Sequence, residues 1–172
     1  MKAHFKITGA LLAEVRKDLA RPHPFAFERV GWISVGASQS GDCIYLIARS
    51  YQPVADDDYL PDDSVGAMMG PEAIRKALQS SRKERVGMFH VHTHGGEGLP
   101  GFSGLDLREM AKFVPNFLQL SPRIPHGALV LSNDSIFGHY WLSEKSKFQI
   151  ISEFFEIGMP LKKWKGGYEQ IR

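Results

Sequence analysis

Apolar residues recur at helical spacing over residues 8–20, where Leu11, Leu12, Val15 and Leu19 share one face and the Arg21-Pro22-His23-Pro24 run closes the segment. Residues 25–35 and 43–50 are β-branched and aromatic enough to predict two strands, the second largely buried, with 36–42 as the turn of an antiparallel pair. A polar loop is expected over 52–70. Pro71 then suits the first turn of a helix to about residue 79, with Ile74 and Leu78 on one face. Residues 86–94 predict a strand and 95–102 a Gly-rich loop. Ser103 opens a further helix whose stripe is Leu107, Met110 and Val114 and whose expected limit is Pro115. Residues 126–132 and 136–142 predict a hairpin across Asn133-Asp134, and 148–157 a final helix. Strands and helices mix without a regular βαβ rhythm, so the expected class is one α/β or α+β domain.

Composition narrows this reading. The 172 residues suit a single domain, with a core over about 8–142 and a C-terminal helix and basic tail over 143–172. Lys162, Lys163, Lys165 and Arg172 read as a solvated end. The 21 basic against 19 acidic side chains leave no strong charge to attract a nucleic acid. The short apolar stretch after Thr8 is broken by Glu14 and Arg16, so neither a signal peptide nor a membrane helix is expected, and the predicted location is the cytoplasm. One cysteine cannot form an internal disulfide or a thiolate zinc cluster, and Cys43 reads as a small buried side chain. Any metal must then be held by His and carboxylate. Asp56, Asp57, Asp58, Asp62 and Asp63 can be read as a cation loop, but they lack the Gly and Glu positions of a calcium loop, and a solvated turn is expected.

The chemistry concentrates in Gly87-Met88-Phe89-His90-Val91-His92-Thr93-His94-Gly95-Gly96. Residues two apart on a strand share a face, so His-x-His presents two imidazoles side by side, a start for a zinc site. Ser103-Gly104-Leu105-Asp106 has the spacing of a capping box, and a rigid helix start can also hold Asp106 as a third ligand with Ser103 facing the site. Glu28, at the head of the predicted first strand, is a candidate general base for a metal-activated water. Phe89 and Phe102 flank this region, as groove or as core.

Together these elements resemble the JAMM (MPN-plus, JAB, Mov34-like) zinc metalloprotease superfamily, its prokaryotic branch in particular. Glu28 with Gly31 and Gly36 looks like the family's first strand, and His92-Thr93-His94 followed by Ser103-Gly104-Leu105-Asp106 looks like its core motif. Eight residues separate His94 from Ser103, one more than usual, and Gly95 stands where many members have Pro. Two registers remain open. His92 and His94 need the smaller loop change, whereas His90 and His92 follow from aligning Gly87 with the family's Gly-x-x-His-x-His.

The resemblance implies an MPN/JAB-like domain, a mixed curved sheet flanked by helices. It also implies zinc on His92, His94 and Asp106, with Glu28 as general base and Ser103 as oxyanion donor. The implied activity is isopeptidase or peptidase cleavage at the C-terminal tail of a ubiquitin-like or sulfur-carrier protein, with activating or conjugating enzymes of the same pathway as possible partners. Neither nucleic acid nor membrane is implied. Substrate-contacting insertions would fall at 56–69 and 115–125. Two alternatives stand beside it. One is a noncatalytic MPN-like scaffold, although every ligand position is retained here. The other is a PHP-type metallophosphoesterase, for which His4, His23, His126 and His139 are too few and poorly placed.

Overall fold

The computed structural model describes residues 1–22, 27–62 and 65–165. Of the sequence expectations, His23, Pro24, Phe25, Asp63 and Arg172 lie outside the described residues.

The N-terminal residues form a strand that the periodicity reading left unassigned. In β1 (Lys2–Thr8), Ala3, Phe5 and Ile7 are buried and alternate with Lys2, His4 and Lys6. The chain then enters α1 (Gly9–Leu19). Thr8 caps it by accepting the Leu11 N–H at 3.2 Å, and Leu12, Val15 and Leu19 form its buried stripe, as the spacing predicts. β2 (Val30–Ser40) and β3 (Cys43–Pro53) are the expected antiparallel pair, but β2 runs through most of the predicted turn and bulges at Ser34/Val35. The turn itself is Gly41-Asp42, where Gly41 adopts φ 54°. β3 is not largely buried: its residues alternate between a covered and an open face, and Cys43 is half-buried.

α2 (Pro71–Glu84) extends five residues beyond its predicted end, closing on Arg85 in the left-handed region. β4 (Gly87–Thr93) is the histidine strand. α3 (Gly104–Leu120) passes through Pro115 rather than ending there. An interior proline costs about 3 kcal/mol in an isolated helix. Here Phe113 and Val114 before it and Phe117 and Leu118 after it are all buried, and that packing keeps the helix continuous. The predicted stripe shifts accordingly, since Leu107 is 43% exposed. β5 (His126–Leu131) and β6 (Ile136–Trp141) make the expected hairpin.

The C-terminal expectation is overturned. Residues 148–157 form β7 (Gln149–Ile150) and β8 (Glu153–Ile157), not a helix. The lysines of the supposed solvated tail form β9 (Lys162–Lys165) on β8. Ile150, Ile151, Phe154 and Phe155 fit a helical period as well as a strand. What decides is β1, which offers β8 a parallel partner from His4 to Thr8.

Among the described residues nine strands join one mixed sheet in the order β7-β6-β5-β4-β2-β3-β1-β8-β9. β1 runs parallel to β3 and β8, and β4 parallel to β5. α1 lies in the core on one face, with Phe5, Ile33, Phe89 and Leu129; α2 and α3 cover the other, with Trp32, Met88, Phe113 and Phe117. This is a mixed α+β architecture with helices on both sides of the sheet. Phe89, a candidate groove residue, is fully buried on the α1 side. His90 and His92 alternate to the α2–α3 side. One row of the register crosses five strands: Trp32, His90, Ala128, His139, Ile150.

Candidate metal centre

β4 lies between β2 and β5, so His90 and His92 are fixed by register on both sides. Trp32 is opposite His90 and Val30 is opposite His92. Continuing the antiparallel pairing two residues beyond its last pair, Val30 and His92, brings Glu28 opposite His94. His94 stays on this line because its N–H donates to the Leu131 carbonyl at 3.0 Å, extending the β4–β5 ladder past Thr93. The segment carrying Glu28 is anchored by its neighbour Arg29. That buried guanidinium pairs with Asp56 at 2.7 Å and donates to the Arg21 and Pro22 carbonyls. The Asp-rich loop is therefore not simply solvated, and Asp58, 8% exposed, pairs with Lys76 at 2.7 Å.

After His94 the chain turns away through Gly95, Gly96 and Gly98, at φ 64°, 69° and 86°. Side chains rarely adopt this region, which explains the glycines. The loop is pinned to the β5–β6 turn: the Asn133 N–H donates to the Gly96 carbonyl, and the Gly98 N–H donates to Asp134 at 2.7 Å. It delivers Ser103 as the cap of α3. Ser103 Oγ accepts the Asp106 N–H at 3.1 Å, and Asp106 Oδ2 accepts the Ser103 N–H at 2.7 Å, completing the predicted capping box with Asp in place of Glu.

The same Asp106 faces the histidines. The Nε2 atoms of His92 and His94 are 3.1 Å apart; Asp106 Oδ1 is 3.5 Å from the first and Oδ2 is 3.4 Å from the second. A carboxylate oxygen of Glu28 and ring nitrogens of His92 and His94 all lie within 4.8 Å of one another. A tetrahedral zinc ion with donors at about 2.0–2.1 Å separates them by about 3.3–3.4 Å. The His–His–Asp spacings fit that geometry, and three protein donors is the count of a catalytic rather than a closed structural site. Burial works against ionisation of Asp106. His92 and the hydrogen bonds from Ser103 outweigh it and hold the carboxyl well below the usual carboxylate range.

His90 stands apart. Its ring centroid is 5.4 Å from that of His92, deeper in the domain against Trp32 and Phe113. Burial, with His92 adding to it, pushes its pKa down to about 3, so the imidazole is neutral. Its Nε2 has no hydrogen-bond partner among the described residues. His92 Nδ1 is likewise unpartnered there, so packing orients that ring, with Phe102 at 6.0 Å as one neighbour. Among the described residues His4, His126 and His139 do not join the cluster.

Three contributors lie in the stretch over 56–69 where a substrate-contacting insertion is expected, although nothing local marks them individually. The Gly66 carbonyl accepts the Glu28 N–H at 2.8 Å, and Met68 and Met69 line a cavity of about 430 Å³ that the cluster also borders. The proposed insertion over 115–125 is largely the end of α3 rather than a loop.

No family model matches the chain, and no curated protein matches it either. Among solved structures it is similar to the Trichoplax adhaerens STIL N-terminal domain, at 10% identity and a TM-score of 0.38, over 78% of this chain and 39% of that one. At that level the likeness bears on neither family nor activity. Among the described residues no helix is long and apolar enough to cross a membrane.

Proposed function

We propose that this chain is a JAMM-type zinc peptidase with an MPN/JAB-like domain, hydrolysing an amide at the C-terminal tail of a ubiquitin-like or sulfur-carrier protein. The observation that carries the reading is the convergence of His92, His94 and Asp106 at 3.1–3.5 Å with Glu28 beside them, from three separate stretches of sequence.

In this reading His92, His94 and Asp106 hold zinc. The ion would supply Lewis acidity at the scissile carbonyl and make water a competent nucleophile near neutral pH. A Glu28 carboxylate oxygen takes the proton released as the water oxygen bonds to the carbonyl carbon. The resulting carboxylic acid returns that proton to the amide nitrogen as the C–N bond breaks, and the amine leaves neutral. Ser103 Oγ donates to the developing oxyanion, a contribution of the order of 3 kcal/mol where such donors have been removed. A hydroxyl that accepts a capping N–H still carries a proton to donate, so the cap and the catalytic role coexist. Asp106 is held by the same cap, which limits its movement as the reaction proceeds.

The test is metal analysis of the purified chain coupled to cleavage of a ubiquitin-like fusion. Near-stoichiometric zinc and cleavage abolished by a chelator and restored by zinc are expected. A metal-free protein that cleaves nothing would instead favour a noncatalytic scaffold.

A further inference from the structure

A second depression, of about 360 Å³, lies where β2 and β3 meet the end of α2. It is lined by Gly36, Ala37, Ser38, Ile47, Arg49 and Arg85 and shares no lining residue with the cavity at the metal centre. Ile74, near the start of α2, borders that cavity, whereas Arg85 caps the far end of the same helix. Most of a 14-residue helix, about 15–20 Å, separates the two.

Two backbone irregularities bring its arginines there. Ser34 pairs with Ser50 and Val35 with Ala48, so Arg49 is the extra residue of the β2–β3 bulge, and a bulge re-aims the side chain it carries. The Arg49 guanidinium lies along Gly36, where a Cβ would stand 3.1 Å from Nε. Arg85 closes α2 at φ 55°, a position where glycine is the usual residue because a Cβ is strained. Attraction to the negative end of the helix accounts poorly for that choice, since Arg82 and Lys83 already place basic charge in the last turn. Among the described residues neither Arg49 nor Arg85 has a salt bridge or a side-chain hydrogen bond, and no acidic side chain lines the depression.

Arginine cannot shed its proton, so two fixed positive charges border one depression with no counter-charge in its lining. An oxyanion entering it meets two planar N–H forks. A carboxylate brings a single charge. A phosphate monoester brings about two, with three acceptor oxygens, and so matches two guanidiniums and the Ser38 hydroxyl. We infer that this depression is a binding site for a phosphate monoester. Its volume exceeds what the phosphate alone needs, and Ile47, 45% exposed, gives the attached organic group an apolar wall. The site is independent of the metal centre and of the amide-hydrolase reading.

The test is titration of the metal-free protein with inorganic phosphate, acetate, adenosine monophosphate and the N-acetyl amide of phosphoserine, followed by amide and guanidinium NMR shifts. A pH of about 7.5 keeps the phosphates dianionic, and an ionic strength of about 0.15 M screens loose pairing. Phosphate should shift residues 36–38, Arg49 and Arg85, and acetate should bind about tenfold more weakly or worse. Arg49→Gln and Arg85→Gly should each weaken phosphate about tenfold or more. Arg85→Gly relieves the left-handed conformation, so its loss of binding is not a loss of fold. Whichever monoester binds tighter identifies the source, a free nucleotide or a phosphorylated side chain, and equal affinities uphold the phosphate as the group recognised. Acetate binding as tightly as phosphate, shifts confined to His92 and His94, or phosphate binding untouched by Arg49→Gln and Arg85→Gly overturns the site.

Discussion

Gly66 and Glu28 are in close contact: the Glu28 N–H donates to the Gly66 carbonyl at 2.8 Å, and a Cβ on Gly66 would stand only 2.8 Å from the Glu28 carboxylate. The glycine leaves the space that the carboxylate occupies. Gly66→Ala should therefore displace the carboxylate while leaving His92, His94 and Asp106 in place. Turnover should fall about 10-fold or more, since small misplacements of a catalytic group carry large rate penalties, with zinc content unchanged. Steady-state cleavage beside metal analysis checks this, and undiminished turnover would count against Glu28's role.

Glu28→Gln removes the proton acceptor and keeps the shape. Zinc should stay bound while kcat drops about 10²–10⁴-fold, the usual contribution of a positioned base. Cleavage at the unsubstituted rate would show that another group takes the proton.

The three-donor geometry predicts which histidine pair binds. His94→Ala and Asp106→Ala should each lose zinc and the stabilisation zinc brings, about 2.7 kcal/mol at a hundredfold excess over Kd. His90→Ala should retain zinc near the level of the unsubstituted chain. Thermal unfolding with and without added zinc measures all three, and a zinc-free His90→Ala protein would move the ligand pair to His90 and His92.

Gly127 on β5 has no room for a side chain. A Cβ there would run into the Phe89 ring and the His139 carbonyl, both inside the sheet. Gly127→Ala should cost about 1–3 kcal/mol, read as a lower denaturant midpoint with an unchanged slope.

Acid should weaken the fold through buried imidazoles away from the centre. Burial pushes the pKa of His126 and of His139 from 6.5 down to about 4. Between those values the unfolded chain binds more protons than the folded one. The stabilisation is complete above about pH 6.5 and is lost as pH falls toward 4, with a slope of up to about 1.4 kcal/mol per pH unit for each imidazole. His126 Nδ1 accepts the Met88 N–H at 3.1 Å. An asparagine oxygen can replace that acceptor without titrating, so His126→Asn should remove about one proton from the acid limb of a urea-unfolding series.

Much of the candidate centre was legible along the chain because its signals are local. The His-x-His alternation places two rings on one face of whatever strand forms, and Ser103 with Asp106 three residues later closes a cap within one helical turn. The β5–β6 hairpin and the stripe of α1 are legible for the same reason: the partners are a few residues apart, and periodicity reports them. Other features depend on distant neighbours. Phe154 sits in a strand because β1 pairs with β8 across almost the whole chain, and α3 crosses Pro115 because Phe113 and Phe117 are buried on either side of it.

The amino-acid sequence by itself determined the inventory: imidazoles and carboxylates without thiols, at spacings that suit a strand and a capped helix. Only the tertiary structure decided the grouping. The β2–β4 register carries Glu28 to His94, the loop at Gly66 closes over that carboxylate, and the start of α3 turns Asp106 toward both histidines, leaving His90 deeper against Trp32. Backbone periodicity sets where a side chain points within one element, but strand register and helix packing set which side chains meet.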